Sequence, residues 1–122
     1  MGSNPINLAL RFVLELGALG AMGFWGWTQH DGVARWIWMI ALPIAASAVW
    51  GTFPVAKDPS RSGRAPVPIP GVLRLLLELS FFAGAAILLG FAGQVTLAIV
   101  FAGVVVVHYA ISYDRVAWLL RN

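Results

Sequence analysis

Four long apolar runs, separated by short stretches rich in Gly, Pro, Asp, Gln and basic residues, set the pattern of the chain. An apolar helix needs about 20 residues to cross a hydrocarbon core about 30 Å thick, and each run reaches that length. The expected spans cover residues 5–28, 34–55, 70–91 and 95–113. Asn4 suits an N-cap, and Pro5 suits the first helical position, where a missing N–H costs nothing. The turn Ala92-Gly93-Gln94 is so short that the third and fourth helices must be antiparallel neighbours. Only residues 56–70 make a substantial linker, with three cations and an alternating Pro66-x-Pro68-x-Pro70 tract that favours extended geometry. The first run is too long for a signal-peptide apolar region and carries Glu15, so it is read as a retained helix.

Polar positions inside the runs are few, and they repeat. Leu10-Arg11-x-x-Leu14-Glu15-Leu16 recurs as Leu73-Arg74-x-x-Leu77-Glu78-Leu79. Each copy opens a two-helix unit, and an even number of spans per unit makes the two copies parallel. The expected architecture is therefore all-α: a polytopic membrane four-helix bundle of two parallel two-helix repeats, forming one domain over residues 1–122. At i,i+4 spacing Arg and Glu share a helix face. If both faces turn inward, Arg11, Glu15, Arg74 and Glu78 meet near one axis. His108 and Ser112 arrive at a comparable depth from the fourth helix, with Thr52, Tyr109 and Tyr113 as further members of a polar layer.

Composition agrees with the pattern. Of the 122 residues, 60% are hydrophobic and 11% charged, whereas soluble domains carry about 25% charged residues. The net charge of +3 does not point to nucleic acid, because the cations sit in short loops beside apolar spans. Arg11, Lys57, Arg61, Arg64, Arg74, Arg115 and Arg121 fall on one side and only Arg35 on the other, so both termini are expected in the cytoplasm. Trp25, Trp27, Trp36 and Trp38 read as an interfacial belt, with Trp50 and Trp118 near the opposite boundary. The absence of cysteine excludes disulfides, thiolate metal sites and c-type haem attachment.

Packing signals accompany the spans. Gly17, Gly20, Gly23 and Gly26 recur every three residues, and Ser47-x-x-x-Gly51 and Ser80-x-x-x-Gly84 add small-residue pairs that permit close helix approach. Pro43 removes one N–H from the second helix and frees the carbonyl of Met39.

No phosphate loop, HExxH, GxSxG or metal-spaced cluster occurs, so neither catalytic residues, metal nor cofactor is expected, and the chain is not read as an enzyme. Intramembrane ionisable groups are costly and usually paired or functional. The pattern is that of an ion, proton or small-solute binding or transport protein that uses Arg11, Glu15, Arg74, Glu78, His108 and Ser112. Transport through so small a chain would favour a homo-oligomer, a dimer. The alternative is an accessory or scaffold subunit, docked on a partner membrane protein, in which the Arg/Glu pairs form a structural clasp. A redox or enzymatic role would require haem, quinone or lipid beside His108.

Arg11-Phe12-x-x-Glu15-Leu16, then Gly23-x-Trp25-Gly26, Trp50-Gly51-Thr52-Phe53 and Arg74-x-x-x-Glu78 follow one another in an order and spacing that resembles the bacterial YrdB-like family. The match spans almost the whole chain. The resemblance implies a small four-helix inner-membrane protein of bacteria, without an established activity or cofactor.

Overall fold

The computed structural model describes residues 4–56, 58 and 66–122, and these form five helices and no strand. The helices are α1 (Pro5–Thr28), α2 (Gly32–Thr52), α3 (Gly71–Phe91), α4 (Val95–Ile111) and α5 (Tyr113–Arg121). Asn4 caps α1 as expected, its side chain accepting from the Ile6 N–H at 2.9 Å. Gly32 and Gly93, in the two short turns, take the positive φ values of 60° and 88° that favour glycine. Of the linker expected to carry Lys57, Arg61 and Arg64, those three cations lie outside the described residues.

Helices α1, α2 and α3 are each long and apolar enough to cross a membrane, and α4 with α5 makes a fourth span if the bent pair is counted as one. In lipid, apolar side chains need not be hidden, and association depends on packing and polar contacts instead. The exposure pattern follows: no residue of α2 is buried, and in α4 only Val105 and His108 are. The small core joins Leu14, Ala18, Ala21 and Met22 of α1 to Phe82 and Ala85 of α3 and Val105 of α4.

Helix α2 lies mainly against α1, while α3 contacts both α1 and α4. Gly26 explains the first approach, since a Cβ there would lie 2.6 Å from the Met39 nitrogen and the Trp38 carbonyl carbon. One turn earlier, a Cβ on Gly23 would stand 3.3 Å from the Met39 carbonyl oxygen that Pro43 leaves without its helical donor, and 3.7 Å from the Pro43 ring. Gly17 faces Phe101 of α4 instead, and Gly20, Gly51 and Gly84 meet open space. Of the glycine stripe, then, two positions serve the α1–α2 contact and one the α1–α4 contact.

The C-terminal end departs from the expected single span. Helix α4 stops at Ile111, the chain turns by 71° at Ser112, and α5 runs off as a separate amphipathic helix. Arg115 and Leu119, one turn apart, share one face of α5 and are its buried residues, and α5 packs on α3. Leu119 seats its backbone against Gly71, where any Cβ would collide with the Leu119 carbonyl. Before α3, the Pro-x-Pro-x-Pro tract runs along the end of α2: Val67 N–H donates to Thr52 O and Ile69 N–H to Pro54 O, both at 3.0 Å. The residues between the prolines supply these donors because proline has none.

Candidate functional site

Glu78 is the centre of the polar layer, and its side chain is wholly buried. Its position one turn after Arg74 on α3 brings Arg74 Nε to Oε2 at 2.8 Å. Arg115 of α5 forks onto both oxygens, with Nη1 on Oε1 at 2.7 Å and Nη2 on Oε2 at 2.8 Å. Tyr109 of α4 donates its hydroxyl to Oε1 at 2.7 Å, and Arg11 Nη2 of α1 reaches Oε2 at 3.5 Å. A carboxylate offers about four lone-pair sites, so this one is saturated. A buried ion is tolerated only with such pairing, which is why four helices converge here.

Arg115 is itself shared, its Nη2 also donating to Asp58 Oδ2 of the linker at 2.9 Å. Burial opposes its charge, but the hydrogen bonds and charges of Glu78 and Asp58 outweigh that and hold its pKa above the ordinary arginine value. Arg74 Nη1 donates to the Trp50 carbonyl at 2.6 Å and to that of Phe53 at 3.3 Å, satisfying acceptors at the C-terminal end of α2. The Trp50 ring lies 4.4 Å from the Arg74 guanidinium and 5.6 Å from that of Arg11, and it packs on Phe81 and Phe82. Trp50 therefore covers two guanidiniums, a role that a place in an interfacial belt does not describe.

Glu15 occupies a different setting. Its ion pair is to Arg11 Nε at 3.3 Å, and its side chain keeps 24% exposure. It lines, with Leu8, Arg11, Phe12, Trp50 and Arg74, a cleft of about 290 Å³ between the ends of α1 and α2. The two copies of the motif have thus parted: Arg74-x-x-x-Glu78 closes the interior, and Arg11-x-x-x-Glu15 borders an opening.

His108 and Ser112 do not join the carboxylate. Both bind Asn7, which accepts from His108 Nδ1 at 3.0 Å and donates through Nδ2 to Ser112 Oγ at 2.6 Å. This triad is buried and ties the start of α1 to the break between α4 and α5. Thr52 instead returns its hydroxyl to the Ala48 carbonyl of its own helix, and Tyr113 is 70% exposed. Asn7, Asp58 and Arg115 are the members that sequence reasoning missed. Asn7 carried a usable signal, lying one turn before Arg11 on the same face as Arg11 and Glu15. Asp58 and Arg115 carried none, since their roles depend on where the linker and α5 fold back.

At the other ends of α1 and α2, the expected belt is an aromatic cluster. Trp27 meets Trp36 edge-on at 4.9 Å, His30 stacks on Trp38 at 5.3 Å, and Arg35 lies 4.3 Å from the Trp27 ring.

Comparison with known proteins matches residues 9–106 to the family described as "Protein of unknown function (DUF2568)". The chain is 42% identical over 119 residues to the "Uncharacterized protein YrdB" of Bacillus subtilis (strain 168), covering 98% of this chain and 97% of that one. No solved structure matches.

Proposed function

We infer that this chain, which belongs to the DUF2568 family of YrdB-like proteins, is a membrane protein that holds a small polar ligand in the cleft beside Glu15. The observation that carries this reading is the division of labour between the two carboxylates. Glu78 is enclosed and fully satisfied, so it serves as the clasp that fixes α1, α3, α4 and α5. Glu15 has one ion pair among the described residues and an open side, so it can exchange partners. Arg11 belongs to both, transmitting the fixed position of the clasp to the rim of the cleft.

The same geometry supports a single-domain four-helix bundle of two parallel repeats, in which α5 rests at the membrane surface and both termini face the cytoplasm of a bacterial inner membrane. A cleft of this kind could also begin a transport path, for which a dimer would supply further surface. The scaffold alternative draws on the saturation of Glu78 and predicts that Glu15 is equally structural.

Paired substitutions separate the readings. Glu78→Gln leaves three guanidiniums facing a neutral amide, and should lower stability by about 3–5 kcal/mol. Glu15→Gln should cost about 0–1 kcal/mol, as expected for a partly exposed ion pair. Thermal unfolding of the purified protein in detergent measures both. Equal losses would overturn the ligand-cleft reading in favour of a clasp built from both pairs.

A further inference from the structure

We propose, building on the ligand-cleft reading, that the cleft receives the zwitterionic headgroup of an aminophospholipid, phosphatidylethanolamine, with its phosphate on Arg74 and Arg11 and its ammonium on Glu15. The side chain of Arg74 is only 4% exposed. Its Nε is committed to Glu78 and its Nη1 to the carbonyls of Trp50 and Phe53. Its Nη2 has no hydrogen-bond partner among the described residues, yet Arg74 lines the cleft. Nη2 is not fully buried, and a hydrogen bond to a charged group is worth about 1.5–3 kcal/mol, so an acceptor delivered there is favoured.

The cleft also holds a fixed acceptor. Glu15 is turned toward Arg11 Nε at 3.3 Å and remains open on its other side. Around it stand Arg11 on its own helix, Arg74 and Glu78 on α3, and Arg115 on α5. A simple anion seated on Arg74 would meet the Glu15 charge, and a simple cation seated on Glu15 would meet two guanidiniums. A ligand carrying both signs a few bonds apart satisfies donor and acceptor together. A primary ammonium is required for the second contact, because it donates hydrogen bonds and a trimethylammonium cannot.

The source is the bilayer by position. Arg11 lies six residues beyond Pro5, a rise of about 9 Å, near the headgroup and glycerol level of a leaflet. Phe12, 59% exposed, and Leu8 flank the opening and offer an apolar edge to the glycerol and first methylenes.

The test uses the full chain in detergent, titrated with phosphatidylethanolamine, phosphatidylcholine, phosphatidylglycerol or soluble phosphoethanolamine, and read by native mass spectrometry and thermal shift. Phosphatidylethanolamine should bind about tenfold tighter than phosphatidylcholine, as one charged hydrogen bond allows, and Glu15→Gln should erase that preference. Arg74→Lys, which keeps a cation at Glu78 but removes Nη2, should weaken all three lipids. Equal or tighter binding of phosphatidylglycerol would overturn the zwitterionic assignment while leaving the cleft as a site. Binding of phosphoethanolamine without lipid binding would overturn the bilayer as source. Lipid preference unchanged in both variants would overturn the proposal outright, whereas the stability difference between Glu15→Gln and Glu78→Gln stands or falls separately.

Discussion

Single residues carry unequal weight in the polar layer because burial sets the cost of leaving a group unpaired. Asn7 illustrates this: it spends one side-chain amide on two partners from another part of the chain, His108 and Ser112. Asn7→Ala would strand both in an apolar interior. Interhelical hydrogen bonds in membranes are worth about 0.6–2 kcal/mol, so a loss of about 1–2 kcal/mol is expected in thermal unfolding, with ligand binding at Glu15 retained. The two glutamates were legible in the sequence as costly charges at repeated positions, but their difference was not. Residue type and spacing are the same at Arg11-x-x-x-Glu15 and Arg74-x-x-x-Glu78. What separates them is the arrival of Arg115 and Tyr109 at one and solvent access at the other.

Among the elements, α5 is the decisive addition. The fourth span was expected to end at residue 113 with no helix after it, yet Tyr113–Arg121 forms a separate helix with Arg115 and Leu119 one turn apart on its buried face. Docking of α5 rests on Gly71, whose missing side chain makes room for the Leu119 backbone. Gly71→Ala should therefore push α5 off α3 and lower stability by about 1–3 kcal/mol, with faster hydrogen exchange over residues 113–121. Gly20→Ala is the control: a Cβ there meets nothing within 4 Å. Its helix-propensity gain should leave stability unchanged or raised by up to about 1 kcal/mol. The glycine stripe was visible in the sequence, but which of its members bear contacts depends on how α1 is rotated between α2 and α4.

At the scale of the whole molecule, the proposed orientation can be read directly, because the natural chain has no cysteine. In intact cells an impermeant maleimide should label Gln29→Cys, in the turn before α2, and should label Asn122→Cys only after permeabilisation. The reverse pattern would place both termini outside. Apolar run length, charge placement and turn residues were enough by themselves to predict an all-helical chain of four spans with a charged motif near the start of two of them, and the structure has three helices long and apolar enough to cross a membrane, or four if the bent α4–α5 pair is one. Those properties are local, since the length of an apolar run and the cost of a charge within it do not depend on neighbours far along the chain. Three things required the folded molecule: the bend at Ser112, the capture of Glu78 by a fork from α5, and the cleft left beside Glu15. Each arises from contacts between segments distant in sequence, where packing and pairing decide which of two identical motifs closes and which stays open.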